Sequence, residues 1–421
     1  MTRAIKILLL ALLAAGSVGS LSGQDYRTFQ DEYSDVAERN LFRFGPLRVL
    51  PTFRLSNVGY DSNVFYRDRG DEPVADYTAT ISPEIKGYWL VGHSVILSIT
   101  DNPEYVFYLD QKSLRSFSNS YRPAARLLLL RRLALSGDYH FERHTRRASS
   151  EFETPVQDTR QGYAASAAVE TPRGTVIGVS GVLDDYRFAE LGAADLPSTY
   201  ALNLDRRQRA LDLEFYYRVF SRSWVFLRAG WSDYVFSHPE AEWRDAYSTQ
   251  AYGGIRFPLA GRARGVVSLG YKKFVPRDPA RKAFSGLVAD TDVRFRVGRL
   301  GIQLGYLRNN YFSYYNTAYY FIEDKLRTGL SFYVFPFLRL DGDLQAGAWN
   351  YPEPHEVTYQ GETYVVDNRK DVSRVVTLGL AVRIAGSSGL GLSFNIYRRR
   401  SNAPGFDIDR NFLGAYIVYD F

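Results

Sequence analysis

A chain of 421 residues without cysteine has no disulfide framework, and its formal charge of +6 is evenly mixed with acid, too slight an excess to argue for a nucleic-acid partner. A mean hydropathy of −0.26 is that of a water-soluble protein, but a transmembrane β-barrel has the same average because polar lumen positions dilute the lipid-facing ones. Only one run is as long as a membrane helix needs, and it stands at the start, so a bundle of membrane helices is excluded and periodicity has to separate the remaining classes.

Residues 1–23 place Arg3 and Lys6 before an apolar core and a small-residue exit (Gly16, Ser17, Gly19, Ser20), the layout of a secretory signal peptide. Cleavage is expected between Ser20 and Gln24, leaving a charge of +4 (6 − 2). The absence of Cys excludes a lipoprotein; the alternative is an uncleaved anchor. Residues 24 to about 40 are acidic and polar, open to a short periplasmic helix, a plug or a disordered lead-in, and 24–50 as a whole are read as a periplasmic lead-in or plug. Val36, Leu41 and Phe42 offer little for a core, so a flexible or loosely docked segment is expected there. The barrel is assigned to residues 51–421, with its first strand at 52–63.

From that point one theme repeats. A strand ends in a short turn, the next returns, and a longer polar segment follows. Short turns are expected near 91–93, 131–132, 172–174, 221–222, 260–262, 298–300, 336 and 386–388. Longer segments lie at 67–76, 110–118, 146–159, 189–199, 237–245, 277–283, around 312–318, 351–370 and 401–408. The count predicts about 18 antiparallel strands in an up-and-down transmembrane β-barrel, all-β, with both termini on the periplasmic side. The segments run about 10–16 residues, which suits strands crossing an apolar layer better than the ~5–6 usual in soluble sheets. A β-propeller would need shorter strands and a recurring blade signature, and none is present.

The rows formed by alternate residues carry the membrane argument. Leu211, Leu213, Phe215, Tyr217 and Val219 alternate with Asp212, Glu214, Tyr216 and Arg218. The same contrast recurs along 121–130, 133–144, 292–297, 338–346 and 390–397. A charge on the lipid face near mid-membrane costs ~2–4 kcal/mol, so the charged rows belong to a wet interior. The expected lumen lining is Arg122, Arg126, Asp138, His140, Glu142, Asp212, Glu214, Arg218, Arg228, Asp292, Arg294, Arg296, Arg339, Asp341 and Asp343. Its arginines would attract anions and its acids oppose them, predicting weak selectivity. A β-sandwich would also alternate, but with its polar rows toward bulk water.

No GxSxG, Walker A, GxGxxG or HExxH motif occurs. His140 and His144 share a face, but four residues along a strand separate them by ~13 Å, too far to share a metal. Asp407 and Asp409 lack further acidic ligands nearby. No cofactor or metal is therefore expected. Residues 146–159 are a candidate constriction and 351–370 a candidate lid. Tyr216 and Tyr397 are candidate stacking surfaces for sugar rings, with packing as the plainer role.

The chain ends RNFLGAYIVYDF, with Leu413, Ala415, Ile417, Tyr419 and Phe421 on one apolar row. This resembles the closing strand of bacterial outer-membrane barrels, and Phe421 with Tyr419 is then the expected signal to the barrel assembly machinery. Residues 59–66 (GYDSNVFY), 271–298 and 397–411 (YRRRSNAPGFDIDRN) resemble the β-barrel porin-2-type family of outer-membrane proteins. The resemblance runs from about residue 46 to the end, and the acidic lead-in is its least typical part. It implies a Gram-negative outer membrane, contact with lipid and lipopolysaccharide, and, from some relatives, polysaccharide export components as partners. The resemblance carries over no functional residues. The leading expectation is a channel for small hydrophilic solutes or polysaccharide, not an enzyme, with a homo-oligomer by analogy with general porins. The alternatives are a plugged structural or surface-anchoring barrel and, further off, a hydrolase built on a barrel.

Overall fold

A computed structural model describes residues 28–38, 42–147, 155–172, 174–190, 203–220, 223–257, 263–315, 318–385 and 388–420. The expected signal peptide, the turns at 221–222, 260–262 and 386–387, and Phe421 lie outside the described residues.

Eighteen strands form the wall. They are β1 (Leu47–Asp61), β2 (Asp76–Val91), β3 (Val95–Tyr108), β4 (Ser116–Leu129), β5 (Leu133–Arg147), β6 (Pro155–Glu170), β7 (Thr175–Glu190), β8 (Arg206–Phe220) and β9 (Ser223–Phe236). Then follow β10 (Ala246–Phe257), β11 (Ala263–Pro276), β12 (Phe284–Val297), β13 (Leu300–Phe312), β14 (Tyr320–Phe335), β15 (Leu338–Asn350), β16 (Lys370–Ala385), β17 (Ser388–Ser401) and β18 (Ile408–Asp420). Each pairs antiparallel with the next, and β18 pairs back onto β1 from Thr52↔Asp420 to Asp61↔Phe412. The sheet is therefore a closed ring, as a bilayer demands, since an open edge would leave backbone groups without partners. The first strand begins at Leu47, ahead of the expected boundary at 51. Residues Phe42–Phe44 fold back on its start, and His355–Tyr359 with Glu362–Val366 make a small hairpin in the longest loop.

The closing seam has local causes. A bulge displaces the register between Leu55 and Val58, with Asn57 at φ 53°. Directly after it, Gly59 passes so close to β18 that a Cβ would stand 1.9 Å from the Leu413 carbonyl oxygen. Asp61 then takes the Arg410 guanidinium in a bidentate pair across the seam. Asn63 donates to the carbonyls of Arg67 and Asp409, and Asp68 accepts from the Asp407 amide at 2.8 Å. The sequence stretches 59–66 and 397–411 thus meet in space.

The two faces of the ring separate by chemistry. Leu211, Leu213 and Tyr217 are about half exposed, whereas Asp212 and Tyr216 between them are buried. The apolar row is the convex, lipid-facing side, where lipid rather than water covers it. The polar row faces the lumen, because groups from far around the ring meet on it.

One of those groups is a helix, α1 (Phe29–Glu38). The Thr28 hydroxyl accepts from the Asp31 amide at 3.2 Å, and Asp31 and Glu32 in the first turn complement the helix dipole. Phe29, Tyr33, Val36 and Ala37 recur at helical spacing and lie on Leu90, Ile96, Leu128 and Ala134 of the inner wall. Val36 and Phe29 are fully buried, so the segment read as loosely docked has a compact contact near the short-turn end. Polar links hold it. The Phe29 amide donates to Glu170, Arg126 pairs with both Glu32 and Glu170, and the Tyr33 hydroxyl donates to the Gly92 carbonyl at 2.9 Å.

Candidate functional site

The alternation that makes each strand amphipathic also decides what lines the channel. All fifteen residues expected in the lumen stand on the row opposite the exposed apolar one. Most are paired there. Arg122 meets Asp138 at 2.9 and 3.1 Å, Arg228 meets Glu214, Arg294 meets Asp292 at 3.0 Å and Arg339 meets Asp341 at 2.8 Å. Asp343 pairs with Arg327 at 2.8 Å, a partner that sequence reading did not single out. Asp212 faces Gly230 on the neighbouring strand. Arg218 lies over the Trp224 ring at 4.6 Å, and Arg296 over Tyr333 at 4.9 Å.

His140 belongs to a buried network. Its Nε2 is 2.6 Å from Asp184 Oδ1 and its Nδ1 is 3.3 Å from Asp138 Oδ2. Arg160 donates to the same Asp184 at 2.9 and 3.1 Å and lies 3.7 Å from Glu142. Two carboxylates and a guanidinium close around the imidazole, which makes this a cross-strand brace in the wall. Among the described residues no cluster of three or more His, Asp or Glu side chains is arranged to hold a metal. Asp409 faces Arg398 and Arg400, and Asp407 accepts from the Ser401 amide, so the two loop carboxylates do not converge.

The mouth at the long-loop end is built by a loop the sequence reading passed over as polar. Between β13 and β14 the described residues Ser313–Tyr315 reach inward from the rim. Tyr314 packs edge-on against Phe188 of β7 with ring centroids 6.0 Å apart, although β7 lies six strands away in a ring of eighteen. Phe312 sits 5.1–5.3 Å from Phe236, Tyr234 and Phe274 of the inner wall.

Arg244, at the end of the short helical turn Pro239–Arg244, clamps this loop. It is fully buried and donates to the carbonyls of Ser313 and Tyr315 at 2.6 and 2.7 Å. Its guanidinium also lies 4.6 Å from the Trp243 ring centre. The Tyr319 hydroxyl donates back to the carbonyls of Arg244 and Asp245. Burial pushes that phenol well above its ordinary range, which keeps the hydroxyl a donor. On the other side Arg369, bidentate to Asp371, lies between the rings of Tyr315 and Phe406. Of the expected constriction at 146–159, residues 146–147 and 155–159 belong to β5 and β6, and 148–154 lie outside the described residues. The paired tyrosines at 314–315 and 319–320 mark the segment as more than polar, but not what it would reach.

A closed ring of eighteen strands, greasy outside, charged within and narrowed by an inserted loop, defines an outer-membrane barrel of the porin class. The chain belongs to the family described as "Putative beta-barrel porin 2", which it matches over residues 42–304. That span is more than half the chain, but it stops short of the 397–411 stretch on which part of the resemblance rested. No curated protein matches the chain.

Among solved structures, the outer membrane protein opdK from Pseudomonas aeruginosa is similar at 13% identity and a TM-score of 0.51, covering 89% of this chain and 99% of that one. OccK2 (OpdF) from the same organism gives 12% and 0.51, covering 89% and 98%. A complex of OccK2 with glucuronate gives 13% and 0.50 over the same shares. At such identities the likeness carries the fold. With the family it places the protein in the outer membrane of a Gram-negative bacterium as a channel for small solutes.

Proposed function

We propose that the protein lets small hydrophilic solutes diffuse through the barrel without a chemical step, with the clamped residues Ser313–Tyr315 setting the size limit and the paired lumen charges giving weak ion preference. The observation that carries this is the clamp of Arg244 on the carbonyls of Ser313 and Tyr315, which holds a chain segment across the mouth. Neighbouring opposite charges cancel at a distance, so a solute passing Arg122–Asp138 or Arg339–Asp341 meets a dipole rather than a net charge. A segment crossing the mouth favours small solutes over an extended polymer.

Planar-bilayer recording of the purified protein tests the proposal. Discrete open levels that shrink with increasing size of added neutral polymer support it, and a barrel that never conducts rejects it. A second reading, a partial plug at the other end, is favoured by α1. Ten helical residues span about 15 Å, enough to narrow the lumen along β2–β6 but not to fill it. Deleting residues 24–40 would then raise conductance.

A further inference from the structure

The lipid-facing row changes character on one side of the barrel. Along β5 to β8 it runs largely apolar from the short-turn end up to Phe141, Tyr163, Leu183 and Leu211, and then turns polar, with Arg143, Arg187, Arg207 and Arg209 set among Gln157, Thr159, Gln161 and Asp185. Tyr139 and Tyr163 sit side by side with ring centroids 5.3 Å apart, and Tyr163 is exposed, the placement of an interfacial aromatic girdle. Four residues beyond Tyr139 stands Arg143. It is in register with Thr159, which is in register with Arg187 on the next strand. Two inter-strand steps separate the arginines by about 10 Å.

Between them is a groove of about 400 Å³, its polar lining completed by Gln157, Gln161 and Asp185. Asp185 is engaged by Arg207 at 2.9 Å, so it does not neutralise the pair. Among the described residues neither Arg143 nor Arg187 has an acidic partner. Two guanidinium groups facing outward just past the aromatic girdle stand at headgroup depth. The lumen explains nothing about them, because they point away from it.

We propose that this groove on the outer wall of β5–β7 binds the phosphorylated sugar headgroup of a glycolipid in the leaflet on the long-loop side. The planar forks of Arg143 and Arg187 match phosphate oxygens, and the Thr159 hydroxyl and the glutamine amides match sugar hydroxyls. The acyl chains then run down the apolar row past Tyr163 and Leu183. A free phosphate would gain the first contacts without the last.

The test uses the full-length barrel in a neutral maltoside detergent, titrated with a bis-phosphorylated glycolipid, its dephosphorylated form and inorganic phosphate, with adducts read by native mass spectrometry. The phosphorylated glycolipid should be retained, and the double variant Arg143→Gln, Arg187→Gln should weaken that retention about tenfold or more. Arg299→Gln, which removes a charge at the opposite rim, should leave it unchanged, and Arg143→Lys, Arg187→Lys should restore part of it. Heat-modifiable migration on a gel confirms that each variant is a closed barrel. Equal retention by wild type and the Gln variant overturns the proposal. So does equal retention of the dephosphorylated lipid, full competition by inorganic phosphate, or a dimer formed through this face in place of the adduct.

Discussion

Replacing Arg244 by Ala removes the clamp on the mouth without touching a strand ladder. Two charge-assisted hydrogen bonds, at 2.6 and 2.7 Å, are lost from a fully buried guanidinium. Such bonds contribute about 1.5–3 kcal/mol each, so the pair is worth about 3–6 kcal/mol before correction. Burying the guanidinium costs free energy that the variant no longer spends, and the freed carbonyls can turn to water, so the lower end applies. About 3 kcal/mol raises the ratio of withdrawn to inserted loop roughly a hundredfold. Single-channel recording should show a larger mean conductance with added fluctuation, and limited proteolysis should cut within 313–319 far faster. Arg244→Lys keeps the charge but not the fork that spans two carbonyls, and should fall between. Unchanged conductance and unchanged cleavage in the Ala variant would refute the idea that this residue holds the loop.

Other expectations follow from the same structure. Glu170→Ala takes from α1 the acceptor of its first amide and one partner of Arg126, so the helix should undock and conductance rise, whereas an unaltered trace would argue that the apolar contact alone suffices. Asp184→Asn strips a buried brace of its charge and leaves Arg160 and His140 facing each other. It should cost about 3–5 kcal/mol and lower the temperature at which the folded gel band is lost. Asp343→Asn frees Arg327, and the reversal potential in a potassium chloride gradient should move toward chloride. Gly59→Val puts carbon where the Leu413 carbonyl already stands, so closure should fail and the chain migrate as unfolded, while the same change at Gly342, which has open space, should be tolerated.

The wall was legible because a period of two, with charge on one row, admits few foldings in a membrane. The short turns read near 91–93, 131–132, 298–300 and 336 each fall where one described strand gives way to the next, and the contrast of Leu211 and Leu213 with Asp212 and Glu214 is the contrast between lipid and lumen. What crosses the interior was not legible. Alternation says which side of a strand a residue faces, but a loop has no such rule, so nothing in SYYNTAYY told that Tyr314 would reach Phe188. Val36 read as too little for a core because its partners, Ile96 and Ala134, are assembled only when the ring closes. Arg143 and Arg187 were missed for a related reason. They continue the outward rows of β5 and β7 past the point where those rows stop being apolar, and only the cross-strand register through Thr159 shows them to be neighbours.

The seam has a consequence for how the protein is made. Until the last 13-residue strand is delivered, β1 and β17 are two bare rims whose amides find no partner in hydrocarbon. A chain cut short anywhere in that strand is thus not a slightly weaker product but an unfinished hoop. Nor can the two ends settle for a neighbouring alignment, since a slip by one residue would turn Arg410 from Asp61 out into the oil. Closure has to wait for β18 and then join it to β1 in a single register.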